Sequence, residues 1–543
     1  MGNEKRGSHR VWRGAAILTG AALLVKLLSA LYRLPYQNFA GDVGFYVYQQ
    51  VYPFYALAVA LGGAGFPIVI SKYMAAAGEQ ENDKKSVQRH ALLALIILCA
   101  FFFVMLTLFA APLSQLAGDR HLENLIRMAA LIYLLVPFIS LLRGTFQGEK
   151  ENMLPTALSQ IGEQVTRVCL ILGVSLYLFF NHGTAYQFGL AATSGSVFAP
   201  LITVAILTFC LPEKKAFFHG LISSKKVAVN WSFIKSILVA GCLFSLLSVP
   251  LLAFQFIDSM TMLRLLGKMH LDDPRAMKGI YDRAYILTQF GMIASTSLTA
   301  AIVPRLAHLA ALHRHHDFCM ESTLAIKISV AFGAAAAAGL MAISREVNIM
   351  LFRNDAGTGA FTIAALTMLT LSVLLTSSGI LEADGKPWLP VCFLVIGAIV
   401  KAALNILLVP QWSIAGAAAS TCAGTACAVW LCLIYMYRRH LIKRLSSQVI
   451  VKIGIAVIGM LASVYVCKLF ISRFIVSMPL RPAAALTAVC CTFAGGAVFL
   501  VLLYGVRFLD RHDAKRLPLS GLLMHHATRG ADDEKDTERF WKL

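Results

Sequence analysis

The residues with the clearest chemical potential are charged side chains that interrupt long apolar runs. Glu163 and Arg167 are four positions apart, so one helix would bring their carboxylate and guanidinium groups together on a single face. A charged side chain in a membrane-spanning helix is costly, and it usually faces a partner or a water-filled cavity. The pair is therefore interpreted either as a structural ion pair or as part of a binding site, and the spacing favours neither.

A second group consists of cations without an obvious carboxylate one turn away on the same helix. Lys26 lies deep in the first apolar run, and Arg283 lies in a later one, beside Asp282. Two such cations facing one cavity would suit an anionic substrate such as a pyrophosphate. Other polar residues of the apolar runs are candidates for the same site, namely Arg33, Gln255, Asp258 and Gln289. Arg33 lies near the predicted end of its run, where its side chain could instead reach the aqueous interface.

The elements that would position these side chains are transmembrane helices. Apolar residues make up 58% of the 543 and charged residues only 14%, whereas a soluble domain carries roughly a quarter charged residues. Apolar runs of about twenty residues recur from end to end, and each is long enough to cross a hydrocarbon core of about 30 Å. In lipid such runs must be helical because the backbone has to satisfy its own hydrogen bonds. The sequence therefore predicts an all-α polytopic membrane protein.

About fourteen spans are predicted. They cover residues 14–33, 46–71, 91–117, 125–144, 157–180, 187–211, 234–258, 283–305, 322–344, 359–381, 389–409, 414–437, 450–472 and 483–506. The net charge of +20 would suggest nucleic acid in a soluble chain, but here it follows the positive-inside rule. The predicted inner loops are rich in Lys and Arg, and the outer loops 181–186 and 410–413 have none. We therefore expect both termini in the cytoplasm, a bacterial plasma membrane location, and no nucleic-acid partner.

A polar stretch that occurs twice indicates a duplicated bundle. Residues 143–155 follow the fourth span, and residues 379–390 follow the tenth. The ungapped matches are Gly144 with Gly379, Gln147 with Glu382, Leu154 with Leu389, Pro155 with Pro390 and Gly162 with Gly397. The repeat predicts two six-helix lobes in parallel orientation, with a substrate site between them. The predicted divisions are the lobes 1–211 and 233–445, the linker 212–232, two extra helices 446–508 and a polar cytoplasmic tail 509–543.

The polar residues at the cytoplasmic ends of these spans are interpreted as gate or hinge residues. They are Lys72, Arg143, Gln147 and Glu382. The twelve cysteines lie mostly inside apolar runs without metal-ligand or redox spacing, so they are expected to act as small hydrophobic residues. No Walker A, HExxH or GxSxG pattern occurs. We therefore predict no cofactor, no metal site and no enzymatic activity.

Three stretches resemble a known family. They are residues 65–72, the Arg-Gly-Thr-Phe-Gln-Gly run at 143–148, and residues 159–167 with their Glu-Gln-x-x-Arg end. Together they are similar to the stage V sporulation protein B and MurJ-like branch of the multidrug/oligosaccharidyl-lipid/polysaccharide exporter superfamily. The resemblance covers residues 14 to about 506. It implies a two-lobed, fourteen-helix flippase that works by alternating access on an undecaprenyl-pyrophosphate-linked glycan, in the first place lipid II.

The resemblance also implies cavity cations on spans one, two and eight. Arg283 matches the span-eight arginine, Lys26 falls near the first span-one arginine, and Arg33 is a shifted candidate for the second. The span-two arginine has no counterpart, because Leu57 takes its place. The acidic residue one turn after the span-eight arginine is replaced by Ile286.

Several alternatives remain open at the level of sequence. The cargo could be another polysaccharide or a spore-cortex lipid-linked unit. A drug/cation antiporter of the same superfamily would need an acidic pocket, whereas the deep charges here are mostly Lys and Arg. A polytopic glycosyltransferase should have a carboxylate cluster and large outer loops, and a scaffold without transport activity is a further possibility. The expected partners are the lipid-linked glycan, membrane lipid and cell-wall synthesis enzymes, and the expected state is a monomer.

Overall fold

The computed structural model describes residues 17–509 except 19, 79, 149–152, 213, 215–216, 218–228, 270 and 476–477. Within these residues the chain consists of helices and short connections, which confirms the predicted all-α class. Most of the predicted linker 212–232 and tail 509–543 lies outside the described residues, as does the start of the first predicted span.

The first lobe contains nine helical segments. They are α1 (residues 20–31), α2 (Arg33–Ala60), α3 (Phe66–Ala76), α4 (Glu81–Leu108), α5 (Ala110–Leu116), α6 (Glu123–Ala130), α7 (Val136–Gly148), α8 (Leu154–Phe180) and α9 (Ala185–Cys210). A π-helical turn, Leu61–Gly65, connects α2 to α3 without a loop. Short 3₁₀ turns at Arg120–Leu122 and Leu131–Leu134 flank α6.

The second lobe and the two extra helices follow. They are α10 (Trp231–Ser248), α11 (Leu251–Gly267), α12 (Pro274–Ala311), α13 (His315–Ala342), α14 (Ser344–Phe352), α15 (Thr358–Ala383), α16 (Trp388–Arg438), α17 (Ser447–Ser472) and α18 (Leu480–Gly505). The extra helices α17 and α18 pack on each other and contact the lobe through α13 and α14.

Two of the long helices double back on themselves. In α2 the reversal is at Gly41, whose φ of 68° is a left-handed conformation that glycine adopts readily. It brings the Arg33 guanidinium to 4.5 Å from the centre of the Tyr52 ring, whereas a straight helix would separate these residues by about 28 Å. Helix α16 reverses in the same way at Ser413, so that Lys401 reaches Thr421. The stretches Gly20–Ala76 and Trp388–Arg438 therefore each supply two antiparallel crossings. We call the end of the bundle that contains Gly41 the Gly41 end.

The number of crossings agrees with the sequence-based expectation. Eleven helical stretches in the described part of the chain are long and apolar enough to cross a membrane. The two doubled-back stretches, Gly20–Ala76 and Trp388–Arg438, each count twice. Helix α12 is more polar, but its 38 residues are also long enough to cross. Fourteen crossings result.

The seventh crossing is broken, which the sequence did not predict. Helix α10 ends at Ser248 and α11 begins at Leu251, because Pro250 has no N–H and Val249 before it leaves the helical conformation (φ −136°, ψ 63°). Helix α10 packs mainly on α3 and α4 of the first lobe, whereas α11 packs mainly on α16 of the second. The break therefore lies where the two lobes meet.

The repeated glycines serve equivalent contacts in the two lobes. A Cβ on Gly144 would lie 2.5 Å from the Ile70 Cβ, so this glycine lets α7 approach α3 closely. A Cβ on Gly379 would lie 2.6 Å from the Val303 Cγ2, where α15 approaches α12. In both lobes the fourth crossing thus packs on the second across a glycine. This equivalence agrees with the predicted duplication.

Candidate substrate cavity

A cavity of about 220 Å³ lies between the two lobes, at the break of the seventh crossing. Its walls come from α1 and α2 on one side and from the α10–α11 junction, α12 and α15 on the other. Four of the six predicted substrate-binding residues line it, namely Lys26, Arg33, Gln255 and Gln289. The described lining residues include no Asp or Glu, so the cavity is electropositive.

Arg33 lies at the centre of this arrangement and is only 2% exposed. Its Nη1 donates a hydrogen bond to Gln289 Oε1 at 3.1 Å, which links α2 to α12. Its Nε has no hydrogen-bond partner among the described residues, although it is buried. The alternative that Arg33 reaches the aqueous interface is wrong, because the first crossing continues to residue 40 and Arg33 lies two turns before its end.

Lys26 approaches the cavity from α1, two turns before Arg33. Among the described residues no carboxylate forms an ion pair with it. The first residues of α11, Leu251 and Leu252, also line the cavity. The positive end of the α11 helix dipole is therefore close to the two cations. Two cations, a helix N-terminus and two amide side chains together form a site suited to an anion.

Arg283 is not a lining residue of this cavity. It is completely buried nearer the Gly41 end, where it forms an ion pair with Asp42 of the first lobe. Its Nε lies 2.9 Å from Asp42 Oδ1, and its Nη1 donates to Asn354 Oδ1 at 2.7 Å. Asp42 was not a candidate from the sequence because it lies in a turn between two apolar runs.

Further contacts connect the lobes at the same end. Arg275 at the start of α12 lies 3.3 Å from the buried carboxylate of Asp119, which precedes α6. Asn38 Nδ2 donates to the Leu351 carbonyl oxygen at 3.0 Å. A Cβ on Gly279 would lie 2.0 Å from the Asp42 carbonyl oxygen, so α12 and α2 are in backbone contact there. The Gly41 end is therefore closed.

Asp258, the sixth predicted substrate-binding residue, is also absent from the cavity lining. It is fully buried inside the second lobe, 2.8 Å from Lys401 Nζ on α16. Asn405, Tyr281 and Tyr285 donate hydrogen bonds to the same carboxylate. Both oxygens of this carboxylate are therefore fully paired inside the lobe.

Glu163 and Arg167 form the ion pair that their spacing allows, inside the first lobe. Arg143, predicted as a gate or hinge residue, is buried with them: its Nη2 lies 3.0 Å from Glu163 Oε2 and its Nε donates to Ser159 Oγ. Thr203 donates to the same carboxylate at 2.9 Å. One carboxylate thus connects α7, α8 and α9.

The other predicted gate residues lie at the end opposite Gly41. Lys72 is exposed on α3, Gln147 is half-buried at the end of α7, and Glu382 is half-buried at the end of α15. Their role as gate or hinge residues stays a prediction.

The amino-acid sequence of the chain matches a known protein family. Residues 11–310, more than half of the chain, match the family described as polysaccharide biosynthesis protein. The chain belongs to the polysaccharide biosynthesis protein family.

Curated relatives match the chain over almost its whole length. It is 34% identical to the uncharacterised membrane protein YabM of Bacillus subtilis (strain 168), over 95% of this chain and 96% of that protein. It is 24% identical to the lipid II flippase MurJ and to the stage V sporulation protein B of the same organism, in each case over 94% of this chain and 98% of the relative. The predicted resemblance to the MurJ-like branch is thus confirmed.

Solved structures share the fold. A lipid II flippase MurJ in an inward closed conformation superposes with a TM-score of 0.63 at 12% identity, over 91% of this chain and 99% of that one. An inward-facing multidrug resistance MATE family transporter has a TM-score of 0.62 at 13% identity, over 76% and 94%. At these identities the likeness concerns the fold of the chain alone.

Proposed function

We propose that this protein is a flippase that moves an undecaprenyl-pyrophosphate-linked glycan from the inner to the outer leaflet, with lipid II as the first candidate cargo. The observation that carries the proposal is the cavity between the lobes, where Lys26 and Arg33 meet without an acid among the described lining residues. The relative MurJ, whose name describes it as a lipid II flippase, supports the same class of cargo.

The chemistry of the cavity suits a pyrophosphate. Arginine and lysine form charge-assisted hydrogen bonds to phosphate oxygens, and a helix N-terminus adds a favourable dipole. The unpartnered Nε of Arg33 is a donor available for such a bond. The cavity volume is about 220 Å³, below the 300–1,000 Å³ typical of small-molecule sites. It can hold the anionic linkage in this state, and a complete glycan requires the lobes to open.

The closed Gly41 end indicates the direction of loading. From the positive-inside rule we expect both termini on the cytoplasmic side of the membrane, and the Gly41 end would then face outward. Because the ties of Arg283 to Asp42 and of Arg275 to Asp119 close that end, we infer that cargo enters from the cytoplasmic side, once the contact of Tyr73 on α3 with Ser236 on α10 at the opposite end has opened. Release requires both ion pairs to open while the lobes rock in the opposite sense, which is alternating access.

A drug antiporter is the second candidate, because MATE transporters share the fold. A cationic drug would need an acidic cavity, and the cations that line this one disfavour it. The cargo class therefore follows from the sign of the charges, while the choice between lipid II and another lipid-linked glycan needs an experiment.

The decisive experiment is complementation of a flippase-depleted bacterium, combined with an assay of lipid II exposed at the outer leaflet. We expect the wild type to restore growth and exposure, and Lys26→Ala and Arg33→Ala to reduce exposure at least tenfold at equal membrane levels. Lys85→Ala is the matched control, because Lys85 forms a surface pair with Glu81 far from the cavity. Full exposure in both cavity variants would refute the cationic cavity. If the protein restores outer-leaflet exposure of another lipid-linked glycan but not of lipid II, that glycan is the cargo.

A further inference from the structure

The second lobe contains a buried cage of oxygen atoms around one ammonium group. Lys401 Nζ lies 2.8 Å from Asp258 Oδ1 and donates a hydrogen bond to Thr421 Oγ1. The side chains of Lys401 and Asp258 are both 0% exposed. The three residues come from α11 and from the two antiparallel halves of α16, so the ammonium connects three crossings.

The carboxylate in this cage is saturated with donors. Asn405 Nδ2 donates to Oδ1 of Asp258 at 3.0 Å, and the hydroxyls of Tyr281 and Tyr285 donate to Oδ2 at 2.9 and 2.5 Å. The amide oxygen of Asn405 is buried and has no hydrogen-bond partner among the described residues. The site thus offers carboxylate, hydroxyl and amide oxygens in a fully buried position.

Oxygen donors of this kind are the ligands that hard metal cations prefer. Secondary transporters hold their coupling cations near the midplane, where oxygen atoms of the protein coordinate them. In this protein a covalently attached cation occupies the middle of the set, and its charge balances that of Asp258. A metal cation at the same point would meet the Lys401 ammonium at contact distance, where like charges repel strongly in a medium of low dielectric constant.

We propose that the Lys401 ammonium is a built-in cation, which takes the place that a bound monovalent metal ion would otherwise have in this lobe. The second lobe therefore needs no bound Na⁺ to hold these crossings together, and transport does not require a Na⁺ gradient. Only the transport part of this inference rests on the proposed flippase function, since occupancy of the cage can be measured on the purified protein.

The cage also determines where α12 lies. Tyr281 and Tyr285 anchor this helix to Asp258, and the same helix carries Arg283 towards Asp42 and Gln289 towards Arg33. We therefore infer that the positive charge of Lys401 helps to fix the position of α12, and with it Gln289 at the cavity and Arg283 at the Gly41 end.

The first test measures the melting temperature of purified protein in detergent, in NaCl and in choline chloride at equal ionic strength. We expect no difference for the wild type. Lys401→Ala leaves an empty oxygen cage, so its melting temperature should fall by about 5 °C or more in choline chloride and recover in NaCl. Lys401→Met fills the space without the charge, and it should be destabilised equally in both salts.

Two results would overturn the proposal. One is a saturable stabilisation of the wild type by Na⁺ that Asp258→Asn abolishes, because the cage would then hold a metal ion beside the lysine. The other is a folded Lys401→Ala protein that responds to no alkali cation. If Lys401→Ala does not fold, the wild type alone decides: flipping in vesicles should continue at the same rate when choline replaces Na⁺, and arrest would refute the built-in cation. Absence of flipping in both salts concerns the proposed flippase function instead.

Discussion

Arg283 of the second lobe forms a buried ion pair with Asp42 of the first lobe, across the boundary along which the lobes must separate. Because Asp42→Asn removes the countercharge of a guanidinium that is completely buried, it should weaken closure of the Gly41 end. A single reporter, Ser29→Cys in a cysteine-free background, lies on the cavity wall. We expect a membrane-impermeant thiol reagent added outside cells to label it several-fold faster in the Asp42→Asn variant.

The control for this experiment is Asp355→Asn, which breaks an exposed pair with Arg345 within one lobe and should not change labelling. The double variant Asp42→Arg with Arg283→Asp restores opposite charges and should return labelling towards the parental rate. Unchanged labelling in Asp42→Asn would show that this pair does not hold the lobes together.

Glu163→Gln should destabilise the first lobe strongly. The carboxylate forms ion pairs with Arg143 and Arg167, both buried, and its loss leaves two guanidinium groups without a carboxylate partner. Removal of one partner from a buried pair costs about 3–5 kcal/mol. Chemical unfolding of purified protein should show this loss, whereas Glu123→Gln, which breaks a surface pair with Arg127, should change the free energy of unfolding by less than about 1 kcal/mol. Equal effects of the two variants would argue against a structural role for Glu163.

Gly144→Ala and Gly379→Ala test the repeated helix contacts. Each added Cβ would overlap a side chain of the facing helix, at 2.5 Å from Ile70 and 2.6 Å from Val303. Overpacking of this kind costs about 1–3 kcal/mol, so both variants should unfold at lower denaturant concentration. Gly496→Ala is the control, because nothing lies within 4 Å of its Cβ, and it should be neutral or slightly stabilising. Normal stability of both contact variants would disprove close packing at these glycines.

Gln289→Leu should weaken cargo binding more than folding. The substitution removes the amide oxygen that accepts from Arg33 Nη1 at 3.1 Å, but it keeps a side chain of similar size at the cavity wall. Without this acceptor the Arg33 guanidinium is no longer held in place at the cavity wall, so the apparent KM of flipping should rise several-fold. Gln289→Glu, which retains the acceptor, should hold Arg33 but repel an anionic cargo. A KM unchanged in both variants would exclude Gln289 from the site.

Hydropathy alone predicted the class of this protein and most of its crossings, because span length and apolar composition are local properties that lipid selects directly. The echo of Gly144 in Gly379 likewise predicted the duplicated lobes, and both glycines lie at equivalent contacts. The break at Pro250 is local as well, but it falls inside an apolar run that reads as one continuous span.

Only the tertiary structure decided which charges meet. Lys26 and Arg33 reach one cavity, whereas Arg283 is held by Asp42 and Asp258 by Lys401, residues 241 and 143 positions away in the sequence. Each charged side chain in an apolar run needed a partner or a cavity, and that much followed from the sequence. Whether a given charged side chain pairs with a partner or lines the cavity depends on how the helices pack and on the reversals at Gly41 and Ser413. Ion pairing is set by distance in space and not by spacing along the chain.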